Sequence, residues 1–337
     1  MVTTASGASG DIKSALYRPL RRGQTIWGGQ CSMEISIPGN AVITGAGSGL
    51  GRALAMALAR RGWKLGLVDI KQTQARVTLG MIESAGASGE AYCCDVTDPS
   101  RVEKMCRHFF TSWGQVNLLV NCAGVIDLGH VGDVIVENWR RAVEIDLMGV
   151  VWCCNAFVPP MKEQHGRSHI VNIASLAGIA CLPEMAPYNV AKAGVIALSE
   201  TMKVELAPDR IGVTVVCPSY FDTNLLDTMT TTTSEQAELM RLTFDNARMG
   251  ADRIAELALS AVSANRLYVL PQMSSKVIWA DKRLWPGAGS RLNAWLYRVG
   301  IGMWLLRFLA RHGLRGRRQG GRQGAFHSGF SGCSCNT

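Results

Sequence analysis

The sequence predicts an α/β fold: a doubly wound, seven-stranded parallel sheet in a single domain, with a helical C-terminal extension. Three observations carry this expectation. Short apolar runs alternate with helix-like runs, a glycine-rich segment joins the first apolar run to the first helix, and polar residues recur where the apolar runs end. The first run is Ala41-Val42-Ile43-Thr44-Gly45, and a helical pattern follows with Leu50, Leu54 and Leu58 on one face. Residues 64–68 form the next strand and end at Asp69. Residues 91–94 precede Asp95, and residues 117–120 precede Asn121. Residues 169–173 precede Ala174 and Ser175, residues 213–216 precede Cys217 and Pro218, and residues 267–270 come last. Strand, helix and strand at this spacing imply parallel strands joined by right-handed crossovers. Such a sheet binds ligands beyond the carboxyl ends of its strands. That is where Asp69, Asp95, Asn121 and Ser175 stand.

A chain of 337 residues, 47% hydrophobic and 18% charged, suffices for one large domain with extensions. The net charge of +9 is unevenly placed. No acidic residue follows Asp281, whereas ten basic ones do, which leaves 25 of the 35 basic residues against all 26 acidic ones upstream. The body is therefore near neutral, and nucleic acid is not an expected partner. The 11 cysteines are scattered, and no C-x-x-C is matched by a His or Cys pair, so no metal site is expected. Reduced, buried thiols in a cytoplasmic protein are the expected state. Residues 1–33 are rich in Ser, Gly and Arg and lack a long apolar stretch, so no secretory signal is expected; they read as a disordered arm or as residues upstream of a natural start at Met33, with an Arg-bearing targeting segment as the alternative. The catalytic body is expected over 34–275 and the basic extension over 276–337.

The segment Thr44-Gly45-Ala46-Gly47-Ser48-Gly49-Leu50-Gly51 lies between strand and helix. Glycines there permit a tight turn and let backbone N–H groups approach a pyrophosphate, toward which the helix N-terminus points. Asp69 follows Gly49 by 20 residues at the end of the second strand. A carboxylate in that place accepts hydrogen bonds from the adenosine ribose and repels a 2′-phosphate. Lys71 is the nearby cation. NAD rather than NADP is the expected cofactor.

Tyr188 and Lys192 are four residues apart and share one face if helical. A free phenol titrates near ~10, too high for an efficient base at neutral pH, and a neighbouring ammonium lowers that value. Tyr-x-x-x-Lys alone arises by accident on many helices. Ser175, 13 residues before Tyr188 and at a strand end, adds a hydroxyl able to hold a substrate oxygen.

With these motifs in order and spacing, together with Asn121-Cys122-Ala123-Gly124, the sequence resembles the short-chain dehydrogenase/reductase family over residues 37–271. The resemblance implies a Rossmann-like fold, a nicotinamide cofactor and hydride transfer between a secondary alcohol and a ketone. It implies that Gly45, Ser48, Gly49, Leu50 and Gly51 cradle the pyrophosphate, and that Asp95 and Val96 flank the adenine. Asn121, Ala123, Gly124 and Pro218 support the cofactor, and Thr223 meets the carboxamide. Ser175 orients the substrate oxygen and Tyr188 is the acid–base. Lys192 binds the ribose and lowers the Tyr188 pKa. A homodimer or homotetramer through helices flanking the site is also implied. Three residues depart from the family pattern: Asp146 where Asn is usual in a proton relay, Ser219 for glycine, and Cys122 for the second Asn. A binding or scaffold protein of the same fold with little turnover is the alternative to an enzyme.

Residues 222–244 are the expected substrate lid, with Leu225, Leu226, Met229, Met240, Leu242 and Phe244 suiting an apolar substrate or packing the lid down. Residues 291–310 show three–four spacing of Leu292, Trp295, Leu296, Val299, Met303, Leu306 and Ala310. Arg298, Arg307, Gly300 and Gly302 make a poor membrane span. The region 291–322 suits either peripheral contact with an anionic membrane or docking on protein. The tail after 313 reads as disordered.

Overall fold

The computed structural model describes residues 33–299 except 222–225, 227 and 248. Seven parallel strands form one sheet: β1 (Asn40–Thr44), β2 (Lys64–Asp69), β3 (Gly89–Cys93), β4 (Leu118–Asn121), β5 (Ser168–Ile173), β6 (Ile211–Val216) and β7 (Tyr268–Val269). Their spatial order is β3-β2-β1-β4-β5-β6-β7. The order reverses between β1 and β4, and that switch point opens the crevice in which such sheets bind ligands. Every residue of β4, β5 and β6 is buried, as helices on both faces require.

Side chains alternate between two cores, following the two-residue period of a strand. Ala41, Ile43, Leu118, Val120 and Val171 face one core, packed by α1 (Gly49–Ala59), α2 (Gln72–Ser84) and α9 (Ala251–Ser263). Val42, Leu119, Ile170 and Val213 face the other, packed by α3 (Pro99–Trp113), α5 (Gly149–Glu163) and α7 (Ala186–Glu205). Helix starts follow local chemistry. Asp98 accepts from Ser100 N and Arg101 N at the head of α3, and Pro99 occupies the first turn, where no N–H is needed.

Between α4 (Val136–Val143) and α5 the helix widens into a π-turn at Glu144–Met148. Among the described residues, the continuous run Val136–Glu163 is long and apolar enough to cross a membrane by length and composition. Here it packs against α3 and α7. A short α6 (Ala177–Ala180) follows β5, and α8 (Ser234–Asp245) lies in the expected lid.

Two helices, α10 (Met273–Leu284) and α11 (Pro286–Arg298), form the described part of the C-terminal extension. The last helix begins five residues before the expected position 291, because Pro286 supplies a favourable first helical residue. Its expected continuation to 310, the tail and most of the N-terminal arm lie outside the described residues. Met33, the last residue of that arm, is buried with Ile35 in the first core, and Trp63 Nε1 donates to Ile35 O at 2.9 Å.

Candidate active site

The carboxyl ends of β1 to β6 border a cavity of about 360 Å³. Of the expected cofactor residues, Gly45, Ser48, Gly49, Leu50, Gly51, Asp69, Asp95, Val96, Ala123, Gly124, Tyr188, Lys192 and Pro218 line it. Ser175 lines it as well. Asn121 and Asp146 lie just behind the wall, and Thr223 falls outside the described residues.

At one end the glycine segment turns from β1 into α1. Gly45 has φ +65, and a Cβ there would come within 2.8 Å of the Ala123 backbone. Only glycine gives both the left-handed conformation and the close approach of the two loops. Thr44 Oγ1 completes this junction by accepting from Cys122 N at 3.1 Å and Ala123 N at 3.3 Å. At position 122 the backbone N–H, not the side chain, makes this bond. Ser48 stands at the head of α1 and makes no side-chain cap bond, which leaves a helix N-terminus facing the cavity for an anion.

Asp69 has a double use. Its Oδ2 accepts from Gly47 N at 3.0 Å and its Oδ1 from Lys71 N at 2.9 Å. These bonds fix the carboxylate at the end of β2 and tie the glycine segment to it. Each oxygen retains a further acceptor site. Asp95 folds its own turn, with Oδ1 accepting from Thr97 N at 2.9 Å and Thr97 Oγ1 at 2.8 Å. Asn121 acts below the cavity: its Nδ2 donates to Asn172 Oδ1 at 2.8 Å and so links β4 to β5.

At the other end, α7 carries Tyr188 and Lys192 on one face, both buried. Lys192 Nζ donates to Ile173 O at 3.2 Å and stands 5.6 Å from the centroid of the Tyr188 ring. Ser175 Oγ accepts from Ala177 N at 3.1 Å, and Ser175 stands near enough to Tyr188 to lower its pKa. Leu176 N donates to Pro218 O at 2.8 Å, which holds the Ser175 loop beside the β6 end. Ser219 adopts no left-handed backbone.

Asp146 enters from the π-turn. Its Oδ1 accepts from Val125 N at 2.8 Å, and its Oδ2 lies 3.8 Å from Lys192 Nζ without a hydrogen-bond partner. The approach is close enough that a Cβ on Gly124 would meet Asp146 Oδ1 at 2.9 Å. Burial lifts the Asp146 carboxyl to about 6, against the attraction of Lys192 and the Val125 bond. The same fully buried carboxyl, with burial itself as the larger cause, raises the Tyr188 pKa, and Ser175 opposes it. The protein's own groups thus push Tyr188 in the opposite direction to the lowering expected from Lys192.

The substrate end is apolar. Ile126, Leu128, Ala177, Met185, Met240 and Phe244 cluster with Tyr188, and Leu182, Tyr220, Leu226 and Met229 pack against them. Four of the expected lid residues, Leu226, Met229, Met240 and Phe244, belong to this cluster. Leu182, Met185 and Tyr220 line the cavity but were not singled out from the sequence. Their sequence signal was their placement, two between Ser175 and Tyr188 and one just after Pro218.

Thr228 and Thr230, in the expected lid, are clasped to the body. Asp127, fully buried, accepts from Arg141 Nη1 at 2.6 Å and from Thr230 Oγ1. Arg141 Nη2 donates to Thr228 O at 2.8 Å, and Leu128 N donates to Thr230 O at 2.9 Å.

Comparison with known proteins places this geometry. Residues 39–234 match the family model described as short chain dehydrogenase. The oxidoreductase EphD of Mycobacterium tuberculosis is 32% identical over 232 residues, covering 66% of this chain. The chain spans only 39% of that relative's length. The oxidoreductase YxbG of Bacillus subtilis is 30% identical over 258 residues, covering 73% of this chain and 92% of the relative. Among solved structures, a short-chain dehydrogenase/reductase of Burkholderia phymatum in complex with NAD has 29% identity and a TM-score of 0.70. It covers 75% of this chain and 96% of the other. In sheet order, in the glycine turn and in the matched sequence, the chain belongs to the short-chain dehydrogenase family of oxidoreductases.

Proposed function

We propose that this oxidoreductase transfers a hydride between NAD and a secondary alcohol or ketone that is apolar. The observation that carries the reading is the convergence of Ser175, Tyr188 and Lys192 at one end of a cavity whose other end holds the glycine turn and Asp69. The fit to a dinucleotide rests on the cradle itself: a Gly45 that tolerates no Cβ, an uncapped helix N-terminus and a carboxylate at the end of β2. A nicotinamide bound there supplies the hydride donor or acceptor. Ser175 and Tyr188 hold the substrate oxygen between them. Tyr188 gives that oxygen a proton in reduction and takes one in oxidation, and Lys192 binds the ribose and counters charge on the phenol. Asp69 favours an unphosphorylated ribose, because a 2′-phosphate would bring like charges together. Leu182, Met185, Tyr220 and Phe244 exclude water from the reacting carbon and favour an apolar substituent.

Burial pushes the Cys94, Cys106, Cys154 and Cys217 thiols up to about 12. Such inert thiols fit a reducing, cytoplasmic compartment. A homodimer or homotetramer fits the reading through α4 and α5, which flank the site. The test is NADH formation against secondary alcohols of increasing apolar size, repeated with NADP. Turnover that grows with apolar size and prefers NAD supports the reading. Turnover limited to small hydrophilic alcohols, or a preference for NADP, overturns the substrate or cofactor assignment.

A further inference from the structure

The described C-terminal helices carry an unusual surface. Leu284, Trp285, Leu292 and Trp295 are 66%, 62%, 56% and 55% exposed, and Met273, Val277 and Val299 are exposed beside them. At about 100° per residue, Trp285, Leu292, Trp295 and Val299 fall within one stripe about 100° wide. Arg291 and Arg298 border the stripe, and both are exposed. Tyr297 points the other way. Its Oη donates to Glu184 Oε1 at 3.1 Å, and its ring lies 6.3 Å from that of His130. Thus α11 is held to the body by its polar side and turns its apolar side outward.

We infer that the α11 stripe is a docking surface for an anionic lipid bilayer, and that docking sets the substrate end of the cavity at the membrane surface. Charge decides between a bilayer and a second copy of the chain. Lys276, Arg291 and Arg298 stand exposed on the two helices that carry the apolar residues, Lys282 turns to Ile179 O, Arg283 pairs with Glu200 at 3.0 Å, and Asp281 is the last acid. Six further arginines, Arg307 to Arg322, follow without any acid. Two copies meeting on this face would bring like charges together, whereas anionic headgroups neutralise them. Tryptophans beside arginine stems suit the boundary between headgroup and acyl chain.

The placement of the cavity follows from a chain of contacts. Glu184, which receives Tyr297, sits between Leu182 and Met185, and both of these line the cavity. Glu184 Oε2 also accepts from Gln236 Nε2 at 2.7 Å, and Gln236 belongs to α8, which carries Met240 and Phe244 over the substrate end. The apolar rim and the docking stripe therefore share one support. An apolar alcohol dissolved in lipid would reach Tyr188 from the bilayer; this last point rests on the proposed substrate reading, and the docking does not.

The test uses the full chain with vesicles of phosphatidylcholine alone and of phosphatidylcholine containing phosphatidylglycerol. Co-sedimentation with the anionic vesicles only, with a blue shift of tryptophan emission, is expected. Leu292→Glu with Trp295→Glu, checked by circular dichroism for an unchanged fold, is expected to lower partition at least ~10-fold. Hydrogen exchange is expected to slow over α11 and over residues 182–185 when anionic vesicles are present. No binding by the wild type, or equal binding by the double variant, overturns the docking surface. A double variant that instead converts a dimer to a monomer overturns it in favour of a second copy. Protection of α11 without protection of 182–185 overturns the placement of the cavity. Vesicle binding without any turnover leaves docking intact and removes the enzyme reading, so the two fail separately.

Discussion

Replacing Asp146 by Asn changes one charge in the least solvated part of the site. The carboxyl rises from 3.8 to about 6 on folding, chiefly because burial outweighs the pull of Lys192. At about 1.36 kcal/mol per unit, this shift corresponds to about 3 kcal/mol. The folded value is the higher one, so the folded state holds the proton more tightly. Stability from this group is therefore fully present below pH ~3.8 and is lost as pH rises through ~6. About half of the loss has occurred by pH ~5, and the rest is complete by pH ~7.5. Asn removes the titration, and its amide oxygen keeps an acceptor for Val125 N, which now donates to Oδ1 at 2.8 Å. The stability of D146N relative to wild type should therefore improve by about 1.5 kcal/mol between pH ~5 and pH ~7.5. Urea unfolding at the two pH values measures this directly. A difference independent of pH would refute the reasoning, because it would mean that Lys192 holds Asp146 ionised throughout.

Three other outcomes follow from the same geometry. Arg141→Met should destabilise the protein by about 2–3 kcal/mol in urea, because it leaves the buried Asp127 with Thr230 but without its charged partner and releases Thr228. Asp69→Asn should shift the ratio of kcat/KM for NAD over NADP toward NADP at least ~10-fold, since the repulsion of a 2′-phosphate is lost while an acceptor for Gly47 N remains. Alcohol oxidation should rise with pH across the accessible range without a plateau below ~10, because burial and Asp146 raise the Tyr188 pKa. Ketone reduction, which uses the protonated phenol, should stay flat over the same range in a pH–rate profile.

Much of this was legible in the sequence because its causes are local. A strand buried on both faces must be an apolar run, and a tight turn against a second loop must be glycine, so β1, the Gly45 turn and Asp69 could be read directly. The Tyr188–Lys192 pair was legible because helical spacing alone puts both on one face. What was not legible depends on residues far apart in the chain. Asn121 is expected to support the cofactor, and the bond of its side chain to Asn172 across the sheet joins residues far apart in sequence. The upward shift of Tyr188 was hidden because it comes from burial and from a carboxylate delivered by the π-turn at 144–148. The clasp of Arg141, Asp127 and Thr230 joins three segments and has no local signature. Ser219 departs from the family pattern, and its backbone is not left-handed.

The central claim is that Tyr188 moves the proton while the cradle binds the dinucleotide independently. The measurement that tests it most directly is Tyr188→Phe, assayed for NADH binding by fluorescence and for turnover with the best alcohol or ketone substrate. The account predicts binding within a few-fold of wild type and turnover reduced by about 10³-fold. Turnover close to wild type with binding intact would contradict it.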